Sequence, residues 1–128
     1  SIIKNAQKKK TLDVINDQFG SPTYATDLAN SILKIVTSIE NFNFKIETQI
    51  YHFSNSGECS WYDFACEIIR QSNLDCIVRP VNSNEYIHPT KRPKNTTMSK
   101  NKIIDKFDLN IRHWKSSLAD YFELLKAN

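Results

Sequence analysis

Residues 12–39 read LDVINDQFGSPTYATDLANSILKIVTSI, and a change of period inside that stretch decides the fold class. LDVIN is a short apolar strand. Beyond Gly20-Ser21-Pro22, the positions Leu28, Ala29, Ile32, Ile35, Val36 and Ile39 recur at intervals of three and four, the spacing of an amphipathic helix. Thr23 is expected at the N-cap, with Pro22 just ahead of it and Asp27 in the first turns. Strand followed by helix across a tight loop is an α/β signature.

The pattern continues on both sides. Upstream, Ile2, Ile3 and Ala6 share one helical face, and Lys8, Lys9 and Lys10 suit the negative end of that helix. This helix begins without capping residues, as a chain cut inside an element would. Downstream, IYHFSN (50–55) is expected to be a second strand, ending at Ser56-Gly57. Ser60 opens the next helix through a capping box with Asp63. Trp61, Phe64, Ala65, Ile68 and Ile69 form its stripe, so Trp61 and Phe64 are expected in the core rather than on a stacking platform. CIVRPV (76–81) is the third strand, held by Pro80 to an edge or a strand end. Residues 82–98 form a long loop, a length that usually carries function or disorder. Ser99 is expected to cap a short helix with Ile103, Ile104 and Phe107, and Trp114, Leu118, Tyr121, Phe122 and Leu125 mark the last helix. The expectation is a small mixed α/β domain of about five helices and three short strands, one domain over residues 1–128.

Composition narrows the function. At 128 residues, 40% hydrophobic and 24% charged, the chain suits one globular core. A net charge of +3 is mild for a nucleic-acid binder. The longest apolar run, SILKIV, is interrupted by Lys34 and falls short of a membrane span, and the lysine-rich start does not resemble a signal peptide. Cys59, Cys66 and Cys76 are an odd, unpaired set and read as reduced thiols of a cytoplasmic protein. His52, His88 and His113 are scattered, so no metal site is expected. Two glycines, Gly20 and Gly57, cannot build a glycine-rich dinucleotide loop.

No catalytic centre is expected. A Tyr-x-x-x-Lys pair would place a phenol beside an ammonium on one helix face, but no tyrosine here has lysine four residues later. Two loops are better candidates for binding. In HPTKRPKN (88–95), Pro93 biases Arg92 toward extended backbone, and its guanidinium suits bidentate phosphate contact; a solvated basic loop is the competing account. In NDQFGSPT (16–23), Gly20 is expected at positive φ, turning the chain so that Gln18 and Phe19 face a ligand ring or a neighbouring domain. A plain strand-to-helix turn with one buried ring competes with that.

Taken in order, VINDQFGSPTYATDLA, IYHFSNSGECSWYDFA and YIHPTKRPKNTTMSKNKI closely resemble the C-terminal part of dTDP-4-dehydrorhamnose reductases, members of the extended short-chain dehydrogenase/reductase superfamily. The resemblance extends over nearly the whole chain. It implies a substrate-binding part whose complete enzyme reduces dTDP-4-dehydro-L-rhamnose to dTDP-L-rhamnose with NADPH or NADH, for cell-surface polysaccharide. It also implies a separate N-terminal Rossmann domain carrying the dinucleotide loop and the Tyr-x-x-x-Lys pair, without which this piece is expected to be inactive. By the same resemblance, Gln18, Phe19 and Gly20 line the sugar-nucleotide cleft, with Arg92 toward a phosphate and Asn95 toward a polar edge or holding the loop. Some members are associated with magnesium, which no acidic cluster here requires. In such enzymes the chain returns to the Rossmann sheet, so one strand is expected to belong beside that domain. Without it, the piece would expose an apolar edge or face open to self-association. Two other outcomes remain: a regulatory or interaction domain of the same fold, and a reductase acting on a different nucleotide-sugar.

Overall fold

The computed structural model describes residues 2–42, 48–85, 90 and 92–127. Five α-helices are present among them: α1 (Ile2–Ala6), α2 (Ala25–Phe42), α3 (Trp61–Ser72), α4 (Asn101–Phe107) and α5 (Trp114–Ala127). There are four short strands: β1 (Thr11–Ile15), β2 (Phe19–Gly20), β3 (Cys59–Ser60) and β4 (Ile77–Val81). β1 and β4 pair in parallel, from Thr11 opposite Ile77 to Ile15 opposite Val81. A parallel pair needs a long crossover, and here α2 and α3 lie within it. Arg79 binds the Asp13 carboxylate across this pair with two hydrogen bonds, 2.8 and 3.1 Å. Pro80 sits opposite Val14 in a two-stranded sheet, so its missing N–H interrupts no central ladder.

Helix α3 is the pivot of the packing, resting on α1, α5 and the β1–β4 pair. Its start follows the sequence closely. Ser60 Oγ accepts from Asp63 N at 3.0 Å, and the Asp63 carboxylate accepts from Ser60 N at 2.9 Å, which satisfies donors the helix cannot. Ala65 and Ile68 are buried, and Phe64 meets Trp114 edge-on with ring centroids 5.7 Å apart. A second cluster joins α4 to α2: Ile103, Phe107 and Leu109 are buried against Ile35, Ile39 and Tyr51.

Several local expectations are corrected. Residues 50–55 are not a strand. Tyr51 and Phe53 do turn inward against the α4 cluster, but the described residues offer them no ladder, and only Ser56 makes an isolated bridge, to His113. Alternation recorded which side chains are buried; a strand also needs a hydrogen-bonding neighbour. Three expected strands become four because two tertiary contacts create the two-residue β2 and β3. Tyr24, not Thr23, caps α2: its carbonyl accepts from Leu28 N at 3.1 Å, while the Asn55 side chain accepts from Tyr24 N at 2.7 Å. Lys100 rather than Ser99 occupies the N-cap of α4, and Ser99 Oγ reaches Asn101 N only at 3.5 Å. Trp61 is not in the core. It stands at the first position of α3 with 52% of its surface exposed. The stripe on α2 is also split: Ile35 and Ile39 pack inward, whereas Leu28, Ile32 and Val36 are exposed. No helix among the described residues is long and apolar enough to cross a membrane.

Candidate functional site

The five candidate residues converge on a three-layered patch of backbone. β2 lies antiparallel to β3, with Phe19 opposite Ser60 and Gly20 opposite Cys59. On its other side it meets the 94–96 segment: Phe19 N donates to Lys94 O at 2.8 Å and Thr96 N donates to Phe19 O at 3.0 Å. Thr96 Oγ1 adds a second bond to the same carbonyl, at 3.1 Å. The two loops singled out in the sequence, some 70 residues apart in order, are therefore zipped together through Phe19, which bridges to Asn95.

Two cavities open beside this zipper. One, of about 390 Å³, is lined by Gln18, Phe19, Trp61, Thr90, Arg92 and Pro93. The other, of about 330 Å³, shares Gln18, Phe19 and Trp61 and adds Gly20, Cys59 and Phe64. Arg92 is exposed and has no ion-pair partner among the described residues. Its neighbours His88, Pro89 and Lys91 lie outside the described residues. An unpaired guanidinium on the wall of a cavity with aromatic sides suits an anionic ligand that also carries a ring.

Gly20 is present for a different reason than expected. It is strand-like, not at positive φ; Gly57 is the glycine with φ of +84°. A Cβ on Gly20 would come within 2.8 Å of Thr96 Oγ1, the hydroxyl that bonds Phe19. Close approach of the Thr96 side chain, rather than a turn, favours the glycine. Asn95 is likewise assigned by contact. It lines neither cavity; its Nδ2 donates to Glu58 at 3.0 Å and its Oδ1 accepts from Thr97 N at 2.7 Å. These bonds tie Asn95 to Glu58 and to its own loop, three residues after Arg92.

Two carboxylates brace that arrangement, and the sequence offered no cue to either. Glu58 accepts from Thr97 Oγ1 at 2.6 Å as well as from Asn95, and these bonds hold its pKa below the ordinary value. Asp17 accepts from Ser83 Oγ at 2.7 Å and Ser83 N at 3.0 Å, which lowers its pKa likewise and ties the loop after β4 to the end of β1. Cys59 is buried, and burial pushes its thiol up to about 11, with Asp63 adding to the shift. A thiol so held is a poor nucleophile at neutral pH. No group of three or more His, Cys, Asp or Glu among the described residues could hold a metal ion.

A third and larger cavity, about 580 Å³, lies on the other side of Phe64 and is walled by Ile2, Ile3, Tyr24, Trp114, Leu118 and Tyr121. It is mostly apolar, and two of its lining rings, Tyr24 and Tyr121, meet edge-on.

Comparison with known proteins gives the chain's family. The chain is 37% identical over 123 residues to the spore coat polysaccharide biosynthesis protein SpsK of Bacillus subtilis, covering 96% of this chain and 40% of that protein. It is 31% identical to a dTDP-4-keto-6-deoxy-D-glucose reductase of Streptomyces niveus, covering 99% of this chain and 42% of the relative. Among solved structures, a dTDP-4-dehydrorhamnose reductase from Clostridium acetobutylicum superposes with a TM-score of 0.82 at 35% identity, over 98% of this chain and 42% of that one. A Bacillus anthracis dTDP-4-dehydrorhamnose reductase in complex with NADP gives a TM-score of 0.83 at 30% identity, over 94% and 41%. The chain thus spans about two fifths of the length of these relatives. The family model described as the RmlD substrate binding domain matches residues 1–127, and the chain belongs to that family.

Proposed function

We propose that this chain is the substrate-binding part of an NADPH- or NADH-dependent reductase that converts dTDP-4-dehydro-L-rhamnose to dTDP-L-rhamnose, in the cytoplasm, for polysaccharide synthesis. The observation that carries this is the convergence of Gln18, Phe19 and Arg92 on one cavity in a member of the RmlD substrate-binding family. Arg92 takes a phosphate of the sugar nucleotide, Gln18 and Phe19 meet the ligand from the β2 side, and Asn95 holds the loop between them. The hydride donor and the acid that protonates the new alkoxide belong to a second, cofactor-binding part, as the NADP-bound relative suggests. Two features support such a partner body. Residues 50–55 make no ladder among the described residues, and the Leu28, Ile32 and Val36 face of α2 is open. Without that body, the chain binds the sugar nucleotide but does not reduce it, and its open apolar face favours self-association.

The test is Arg92→Ala in the complete reductase. Loss of one charge-assisted contact to phosphate predicts a rise in KM for the sugar nucleotide of roughly tenfold, with KM for the nicotinamide cofactor unchanged. An unchanged sugar-nucleotide KM removes Arg92 from the site. The S. niveus relative is named for a different 4-keto sugar, so the same assay run with dTDP-4-keto-6-deoxy-D-glucose decides between the two substrates.

A further inference from the structure

The 580 Å³ cavity beyond Phe64 has no part in the site described above. Four helices wall it, through Ile3 of α1, Ala25 of α2, Ile68 of α3, and Leu118 and Phe122 of α5. Protein interiors hold few voids larger than a water molecule. An apolar opening of this size forfeits the contacts that each lining side chain would make with a neighbour.

Helix α1 meets this cavity at its first turn. Ile2 and Ile3 both line it, whereas Ala6, one turn later, is buried where α1 packs on α3. The residues of that turn have the chemistry of a helix interior rather than of a helix start. None is acidic, and Lys4 brings a cation, the reverse of what the positive end of a helix favours. Toward its other end α1 is well bonded: Ile3 O accepts from Gln7 N at 3.0 Å and Asn5 O from Lys9 N at 2.9 Å. The first four N–H groups of a helix have no such partner within it. Five residues also fall well short of the roughly 12 to 15 at which a helix becomes even marginally stable in water.

The solved relatives match this chain over their C-terminal portion, about two fifths of their length, so in them polypeptide precedes the matched part. We infer that the cavity is the socket for the turns of α1 that precede Ile2 in the complete protein, an apolar helical segment continuing the stripe of Ile2, Ile3 and Ala6. This inference rests on the reading of the chain as one part of a longer reductase. Residues four apart share a helix face, so the residues four before Ile2 and four before Ile3 fall on the cavity side and are apolar. Helical side chains lean toward the N-terminus, which carries Ile2 and Ile3 toward that same turn. Phe64 borders both this cavity and the 330 Å³ cavity beside β2. A filled socket therefore braces α3 from the face away from the candidate site.

The complete protein tests this in two ways. In wild type, the amides of Ile2–Asn5 should exchange hydrogen about a hundredfold more slowly than unstructured chain, because they then donate to carbonyls of the preceding turn. Exchange at the unstructured rate overturns the helical continuation, and so does a charged residue at either position four before Ile2 or Ile3. Leu118→Phe adds bulk on the α5 wall. In an occupied socket it overpacks and should lower the thermal midpoint by about 3 °C. An unchanged or raised midpoint means that the opening is empty and overturns the occupant. Should that variant fail to fold, exchange in wild type decides. Turnover of the sugar nucleotide by the same wild-type sample reports on the substrate-binding reading separately, so either inference can fail alone.

Discussion

Two polar clusters lie on opposite sides of the segment 54–58, and they are built on opposite terms. On the α5 side, Asn55 is fully buried, and every polar atom of its side chain has a partner. Its Oδ1 accepts from Tyr24 N, and its Nδ2 donates to Asp27 at 2.6 Å, to Ser117 Oγ at 2.9 Å and to Arg112 O at 3.2 Å. Arg112 in turn lies 3.6 Å from Asp27 and pairs with Asp120. On the β2 side, Glu58, Asn95 and Thr97 bond one another at the exposed surface, and Arg92, three residues before Asn95, is unpaired among the described residues. The first cluster spends every polar atom of the buried Asn55 side chain on the chain itself. The second satisfies only the groups that hold the loop and leaves the guanidinium open. Saturated polar burial is what a structural joint needs; one unsatisfied, exposed charge beside satisfied neighbours is what recognition needs.

The sharpest way to break the comparison is Asn55→Ala. It leaves Tyr24 N without its acceptor and removes one of the bonds to the Asp27 carboxylate, which keeps Ser117 and Arg112, and the loss at the joint of α2 with α5 should cost about 3 kcal/mol of stability, more than a typical single hydrogen bond. Urea denaturation checks this; a loss below about 1 kcal/mol would mean that the joint repacks or admits water. Gly57→Ala comes next. Gly57 has φ of +84°, and a Cβ there would sit 2.3 Å from His113 Nε2 and 3.0 Å from Trp114 Cδ1. Left-handed strain plus forced repacking predicts about 2 kcal/mol, and the fall in thermal midpoint should accompany a red shift in Trp114 emission.

The smallest expected effect lies at Glu58 and is read by pH. Its folded pKa is depressed below the ordinary 4.5, first by Thr97 and then by Asn95. A carboxylate depressed on folding contributes fully above its unfolded pKa, and that contribution fades as pH falls through the folded value. Loop order at 92–97 should therefore be constant from pH 7 to about 5 and decline below about 4.5. Amide exchange at Thr97 measures it. Glu58→Gln should remove most of that pH dependence while leaving global stability nearly unchanged, since the pair is solvent-exposed. A large global loss would place Glu58 in the structural class with Asn55 and erase the contrast.

Legibility followed the range of each interaction. The α3 cap was readable because Ser60 and Asp63 are three residues apart and their bonds close within one turn. β1, β4 and α5 were readable from apolar spacing. Trp61 was misplaced because periodicity reports the face a residue occupies, whereas its exposure depends on where α3 meets β2. Residues 50–55 showed the alternation of a strand but not the neighbour that makes one. The open stripe on α2 and the 580 Å³ cavity beside Tyr24 point the same way, since apolar patterning there exceeds what the described residues cover.

Of the site, the motif-bearing loops and the chemistry of Arg92, Gln18 and Phe19 were present in the chain order alone. The absence of a Tyr-x-x-x-Lys pair and of a glycine-rich loop was equally plain there, because both are local patterns. What required the folded molecule was the division of labour. Gly20 yields space to Thr96, Asn95 holds its loop through Glu58, and Trp61 turns outward beside Phe19. Each of these depends on segments far apart in sequence meeting in the fold, and no local pattern encodes a contact whose partner lies 37 or more residues away.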